Sequence, residues 1–120
     1  MKVTRVELFH VDVPLIPAIS KYQVKIYDIT ICRIETDEGL SGIGESAVYH
    51  LDNRSREYLR GIGQSLVGLD PLTIDAYAQP SLFECALLDI TGQAYGIPIW
   101  RFFGQKVRDR IPVSYWSCAM

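Results

Sequence analysis

Residues 26 to 46 read IYDITICRIETDEGLSGIGES, and this stretch decides the fold. Ile26, Ile29, Ile31 and Ile34, with Thr30 and Thr36, give an eleven-residue run dominated by β-branched side chains, the composition of a strand. Asp37-Glu38-Gly39 then supplies a turn in which the glycine can take a positive φ, and LSGIGES follows as the partner strand. The reading is a β-hairpin. The glycines of GIGE are expected to let two backbones approach closely, because neither a dinucleotide fingerprint nor a phosphate-loop motif surrounds them.

Working outward, residues 3 to 13, VTRVELFHVDV, are equally rich in strand formers. Their apolar alternation runs from Val6 to Leu8 and resumes one register later at Phe9, Val11 and Val13, which predicts a strand with a bulge. Between these strands Pro14 and Pro17 bracket an apolar loop, LIPAISKYQ, that has no periodic pattern and is long for its position. Downstream, Asp52 and Asn53 are N-cap candidates for a helix over Arg54 to Val67, weakened by Gly61 and Gly63 and stopped by Gly68. A second helix is predicted over Ser81 to Tyr95. Its apolar residues spread around most of the circumference, so burial on more than one side is expected. Gly96 closes it, Pro98 begins a short helical turn ended by Gly104, and Ile111 to Met120, IPVSYWSCAM, reads as a strand with no partner after it. Strands first and helices next define an α+β architecture: a three-stranded antiparallel sheet with helices on one face.

Bulk composition narrows the function classes. In 120 residues, 12 basic and 14 acidic side chains give a net charge of −2, with no run of like charges to grip nucleic acid or an anionic membrane. No window approaches the apolar length of a membrane span, and the opening MKVTRVELFHV lacks an export pattern, so the expected compartment is the cytosol. Cys32, Cys85 and Cys118 are odd in number and widely spaced, and are expected to be small buried residues. The polar groups available for chemistry are few. His10 sits mid-strand without an acidic neighbour in sequence, His50 follows the hairpin beside Tyr49 where a loop could present it to a ligand, and Glu84 and Asp89 lie five apart on one helix and do not share a face. For those two acids, a dipole or salt-bridge role is expected.

ITICRIETDEGLSGIGES, LVGLDP, ECALLDITGQAYGIPIWRFFG and IPVSYWS, in that order, resemble the amino-terminal capping domain of the enolase superfamily, in its mandelate racemase and muconate lactonizing enzyme branch. The likeness covers nearly the whole chain. It implies a capping domain over residues 1–110 and the start of a (β/α) barrel catalytic domain over 111–120. In that family the barrel supplies acidic Mg²⁺ ligands and a Lys or His base that removes the proton α to a carboxylate, as in a dehydratase, a racemase or epimerase, or a cycloisomerase. The resemblance assigns no catalytic residue and no metal ligand to this chain. It does imply a substrate pocket lined by two capping loops, which here supply Ile16, Ile19, Lys21, Tyr22 and Val24 from the first and Tyr49 and His50 from the second. The implied parent is a cytoplasmic homo-oligomer acting on a small carboxylate, with the chain alone inactive. One departure stands out: the family has a longer helical connection between Asp70-Pro71 and the second helix, so a helix is missing or merged here. The competing reading is a stand-alone binding module with the cap fold, which would need a C-terminus that satisfies its own edges.

Overall fold

A computed structural model describes residues 1–14, 16–17, 26–48 and 52–114, with the side chains of 26, 27, 47 and 48 left aside. Three strands, β1 (Val3–Pro14), β2 (Ile26–Thr36) and β3 (Ser41–Val48), form an antiparallel sheet in the order β1-β2-β3. The hairpin turn is held by Thr36. Its N–H and hydroxyl donate to the Leu40 carbonyl at 3.0 and 2.9 Å, its hydroxyl oxygen accepts the Leu40 N–H at 3.1 Å, and Gly39 takes φ 80°.

The predicted bulge is misplaced. Pairing runs without interruption from Arg5 opposite Glu35 to Pro14 opposite Ile26, and the only irregularity lies between Val3 and Arg5. Phe9, Val11 and Val13 therefore project from the opposite face to Val6 and Leu8 and remain about two-fifths exposed. The physical reason is a change in what each face meets. Val6 and Leu8 pack against the core on the first face, beyond which His10 and the fully buried Thr30 occupy it, so the apolar side chains change sides while the backbone stays regular.

Two helices cover that first face. α1 (Asn53–Leu66) starts where Asp52 accepts the Ser55 N–H at 2.7 Å and ends one residue before the predicted stop. Val67 is extended, and Gly68, at φ 87°, donates its N–H to the Val3 carbonyl at 2.8 Å, tying the helix exit to β1. α2 (Ser81–Tyr95) has the predicted bounds, and Gly96 closes it in the left-handed region. Leu82, Phe83, Ala86, Leu87 and Ile90 of α2 form the core with Cys32 and Ile34 of β2 and with Val3.

β3 is the strand nearest α2, and its glycines make that approach possible. A Cβ on Gly42 would lie 2.0 Å from the Ala86 carbonyl oxygen, and one on Gly44 would lie 1.8 Å from that of Leu82. The close backbone approach expected from GIGE is present. Between Pro71 and Ser81 the only regular element is a 3-10 turn at Ala76–Ala78, capped by Asp75. Another 3-10 turn, Ile99–Phe102, follows Pro98. Residues 111–114 of the predicted final strand form no strand, since no described segment pairs with them, and 115–120 lie outside the described residues.

Candidate functional site

β1 ends at Pro14 opposite Ile26, the start of β2, and β3 ends at Val48 opposite Asp28. α1 begins at Asn53, four residues past Tyr49. The connections 15–25 and 49–52 therefore leave and return at one end of the sheet. Of the predicted contact residues, Ile16 is 62% exposed at that end. Ile19, Lys21, Tyr22, Val24, Tyr49 and His50 lie outside the described residues.

At that end the helix-facing side of the sheet turns polar. The His10 Nδ1 lies 3.0 Å from the hydroxyl of buried Thr30, and Asp12 stands opposite Asp28. Burial is the main reason the His10 imidazole titrates below its ordinary value. The guanidiniums of Arg56 and Arg60 on α1 push it the same way, and Asp28 opposes them. His10 is thus a partly buried strand residue that feels two basic groups of α1 as well as Asp28. Sequence reasoning passed over Arg56 and Arg60. The available signal was a basic pair four apart, hence on one helix face, in the first two turns of a helix that follows a candidate loop.

The remaining candidates have structural roles. Asp89 and Gln93 of α2 occupy the open edge of β3: Asp89 Oδ2 accepts the Ile43 N–H at 3.1 Å, Gln93 Nε2 donates to the Ser41 carbonyl at 2.7 Å, and the two side chains are joined at 3.0 Å. Among the described residues Asp89 makes no salt bridge, which corrects the expectation for it. Glu84 stands in the first turn of α2, where a negative charge suits the helix dipole. Cys32 is fully buried and its thiol is pushed up to about 12 by desolvation. Cys85, expected to be buried, is exposed, because α2 buries the stripe through Leu82, Phe83, Ala86, Leu87 and Ile90 and position 85 falls outside it. Tyr95 is exposed for the same reason, so the helix is buried less completely than its composition implied. Cys118 lies outside the described residues.

Among the described residues no three His, Cys, Asp or Glu side chains come together closely enough to hold a metal ion. No described helix is long and apolar enough to cross a membrane.

No family model matches the chain. Known proteins do. D-galactonate dehydratase of Variovorax paradoxus is 32% identical over 101 residues, covering 70% of this chain and 26% of the relative. Cis-3-hydroxy-L-proline dehydratase of Roseibium aggregatum is 32% identical over 136 residues, covering 92% of this chain and 36% of the relative. The chain thus spans about a third of the length of the curated relatives it matches. That second alignment takes up about 110 of the 120 residues here, 92%, against 136 positions, so the relative has roughly 26 more residues in the matched stretch. Among solved structures, one described as a putative mandelate racemase/muconate lactonizing enzyme from Roseovarius nubinhibens superposes with a TM-score of 0.76 at 28% identity, over 94% of this chain and 36% of that one. Another, described as a member of the enolase superfamily from the same organism complexed with magnesium, gives 0.67 at 31% identity, over 86% of this chain and 33% of that one.

Proposed function

The chain belongs to the enolase superfamily, in its mandelate racemase and muconate lactonizing enzyme branch, and on that premise we propose that it is the substrate-selecting cap of an enzyme that removes the proton α to a carboxylate. The observation that carries this reading is the emergence of both connections, 15–25 and 49–52, at one end of a sheet whose fold matches the caps of this superfamily. Loops anchored on a rigid hairpin and a capped helix can shape a pocket without disturbing the core, as specificity loops on a scaffold do.

On this reading Ile16, Ile19, Lys21, Tyr22 and Val24 meet the substrate from one side and Tyr49 and His50 from the other. Lys21 attracts an anionic group and the apolar neighbours exclude water. Matched relatives named for galactonate and for hydroxyproline are dehydratases of small acids, so a small carboxylic acid is the proposed substrate class and dehydration the first reaction to try. Magnesium is the proposed cofactor of the parent, which we also propose to be a cytoplasmic homo-oligomer. The described residues offer no metal seat, so no step through the ion falls to them. What they do is hold the loop ends in register.

The test is a loop exchange in the parent-length protein. Replacing residues 15–25 by the matching loop of the Roseibium aggregatum dehydratase is expected to shift relative kcat/KM between acid substrates by about tenfold or more, the scale of a few lost or gained pocket contacts. An unchanged substrate profile would reject the cap assignment.

A further inference from the structure

We propose that the cleft between β1 and α1 is a binding site for a small carboxylate with a short apolar tail. Val6, Leu8, Arg60, Gly63, Gln64 and Val67 line it, enclosing about 280 Å³. The cleft exists because helix and strand touch at few points. α1 buries only Leu59, Gly63 and Leu66, and at Gly63 a Cβ would come within 2.9 Å of the Val6 Cγ1.

The lining has two chemistries. Val6, Leu8 and Val67 make an apolar wall, while Arg60 and Gln64 bring a guanidinium and an amide to the same space. A pocket that is mostly apolar with a few convergent polar groups is the usual form of a small-molecule site, and this one falls just below the usual size, which suits a ligand of few atoms. Arg56 lies one turn from Arg60 on the same face of α1. Among the described residues neither arginine forms an ion pair, and the Arg56 Nε is buried without a hydrogen-bond partner. Arg56 stands outside the cleft lining and adds positive charge beside it, while the Arg60 guanidinium in the lining presents the fork of donors that a carboxylate accepts in pairs. His10, two residues past Leu8 on the same strand face, sits within the field of both guanidiniums, so positive charge gathers at one end of the cleft. A bare inorganic anion would leave the apolar wall wet. A neutral apolar molecule would leave the guanidinium unanswered. A short-chain carboxylate answers both.

The probe is sodium hexanoate, titrated into the chain at constant ionic strength while the methyl resonances of Val6, Leu8 and Val67 are followed. Saturable shifts with a millimolar dissociation constant are expected, with hexanol about tenfold weaker or more because one charge-assisted hydrogen-bond pair is lost. Arg60→Gln should weaken hexanoate by about the same factor and leave hexanol unchanged. Arg60 is solvent-exposed, so the variant keeps the fold. Arg54→Gln, on the same helix but not in the cleft lining, is the control for general charge and should change little. The proposal is overturned by the absence of saturable shifts at these methyls, by equal affinity for hexanoate and hexanol, by sulfate reproducing the hexanoate shifts, or by equal losses in the two arginine variants.

Discussion

Glycines at four positions do four different things, and a single added methyl separates them. Gly44 faces the Leu82 carbonyl oxygen at a distance no side chain can share, so Gly44→Ala is expected to cost about 3 kcal/mol or more in urea denaturation, or to prevent folding. Gly39 has open space but a φ of 80°, and Gly39→Ala should cost about 1 kcal/mol from backbone strain alone. Gly61 has open space and helical φ. Gly61→Ala should therefore stabilise by about 0.5–1 kcal/mol. Gly63, tight against a Val6 methyl that can shift, falls between. A uniform cost across 39, 44 and 61 would contradict the close-approach account of β3. Cys32 gives a second residue-scale expectation. Its folded value, about 12, lies above the ordinary 9.0, so the folded state holds the proton more tightly than the unfolded chain does. That contribution is complete below pH 9 and is lost as pH rises from 9 toward 12, at roughly 1 kcal/mol per pH unit. Cys32→Ala should flatten the alkaline fall in stability, and an unchanged slope would show the thiol stays protonated in both states.

At the scale of elements, β3 is one of the two edge strands of the sheet, and α2 closes part of its outer edge with side chains. Strand edges left open invite association, and natural proteins cover them. Asp89→Ala removes the acceptor for the Ile43 N–H and should cost about 1–3 kcal/mol while raising concentration-dependent association in sedimentation velocity. Asp89→Asn keeps an acceptor oxygen and should do far less. Equal effects of the two variants would mean that charge rather than edge coverage matters. This device shows where sequence reading succeeds and where it fails. The hairpin was legible because its strand formers, turn glycine and partner strand are contiguous, and α2 because its apolar residues recur at helical spacing and Gly96 closes it. Asp89 and Gln93 looked like ordinary helix residues, since their partners Ser41 and Ile43 are about fifty positions away and no local pattern reports them. The misplaced bulge in β1 has the same origin: Phe9 changes face where the buried side of the sheet turns from Val6 and Leu8 to His10 and Thr30, which is tertiary information. At the candidate site, Arg56 and Arg60 were missed because α1 alone brings them toward His10.

For the whole molecule, the core lies between the sheet and the helices, and among the described residues much of the apolar surface from Trp100 onward is exposed. Trp100 and Phe103 are exposed, as are Val107, Ile111 and Val113. Exposed apolar residues gathered in this way mark a contact surface. With the chain matching about a third of its relatives, the proposed cover is the catalytic barrel of the parent, which would also supply the proton chemistry. The account therefore expects selection without catalysis in these 120 residues. The most direct test is exchange of the α-proton of galactonate and of cis-3-hydroxy-L-proline with deuterated solvent, followed by NMR with the chain and magnesium present. The account predicts no exchange above the uncatalysed rate. Magnesium-dependent exchange by the chain alone would contradict it.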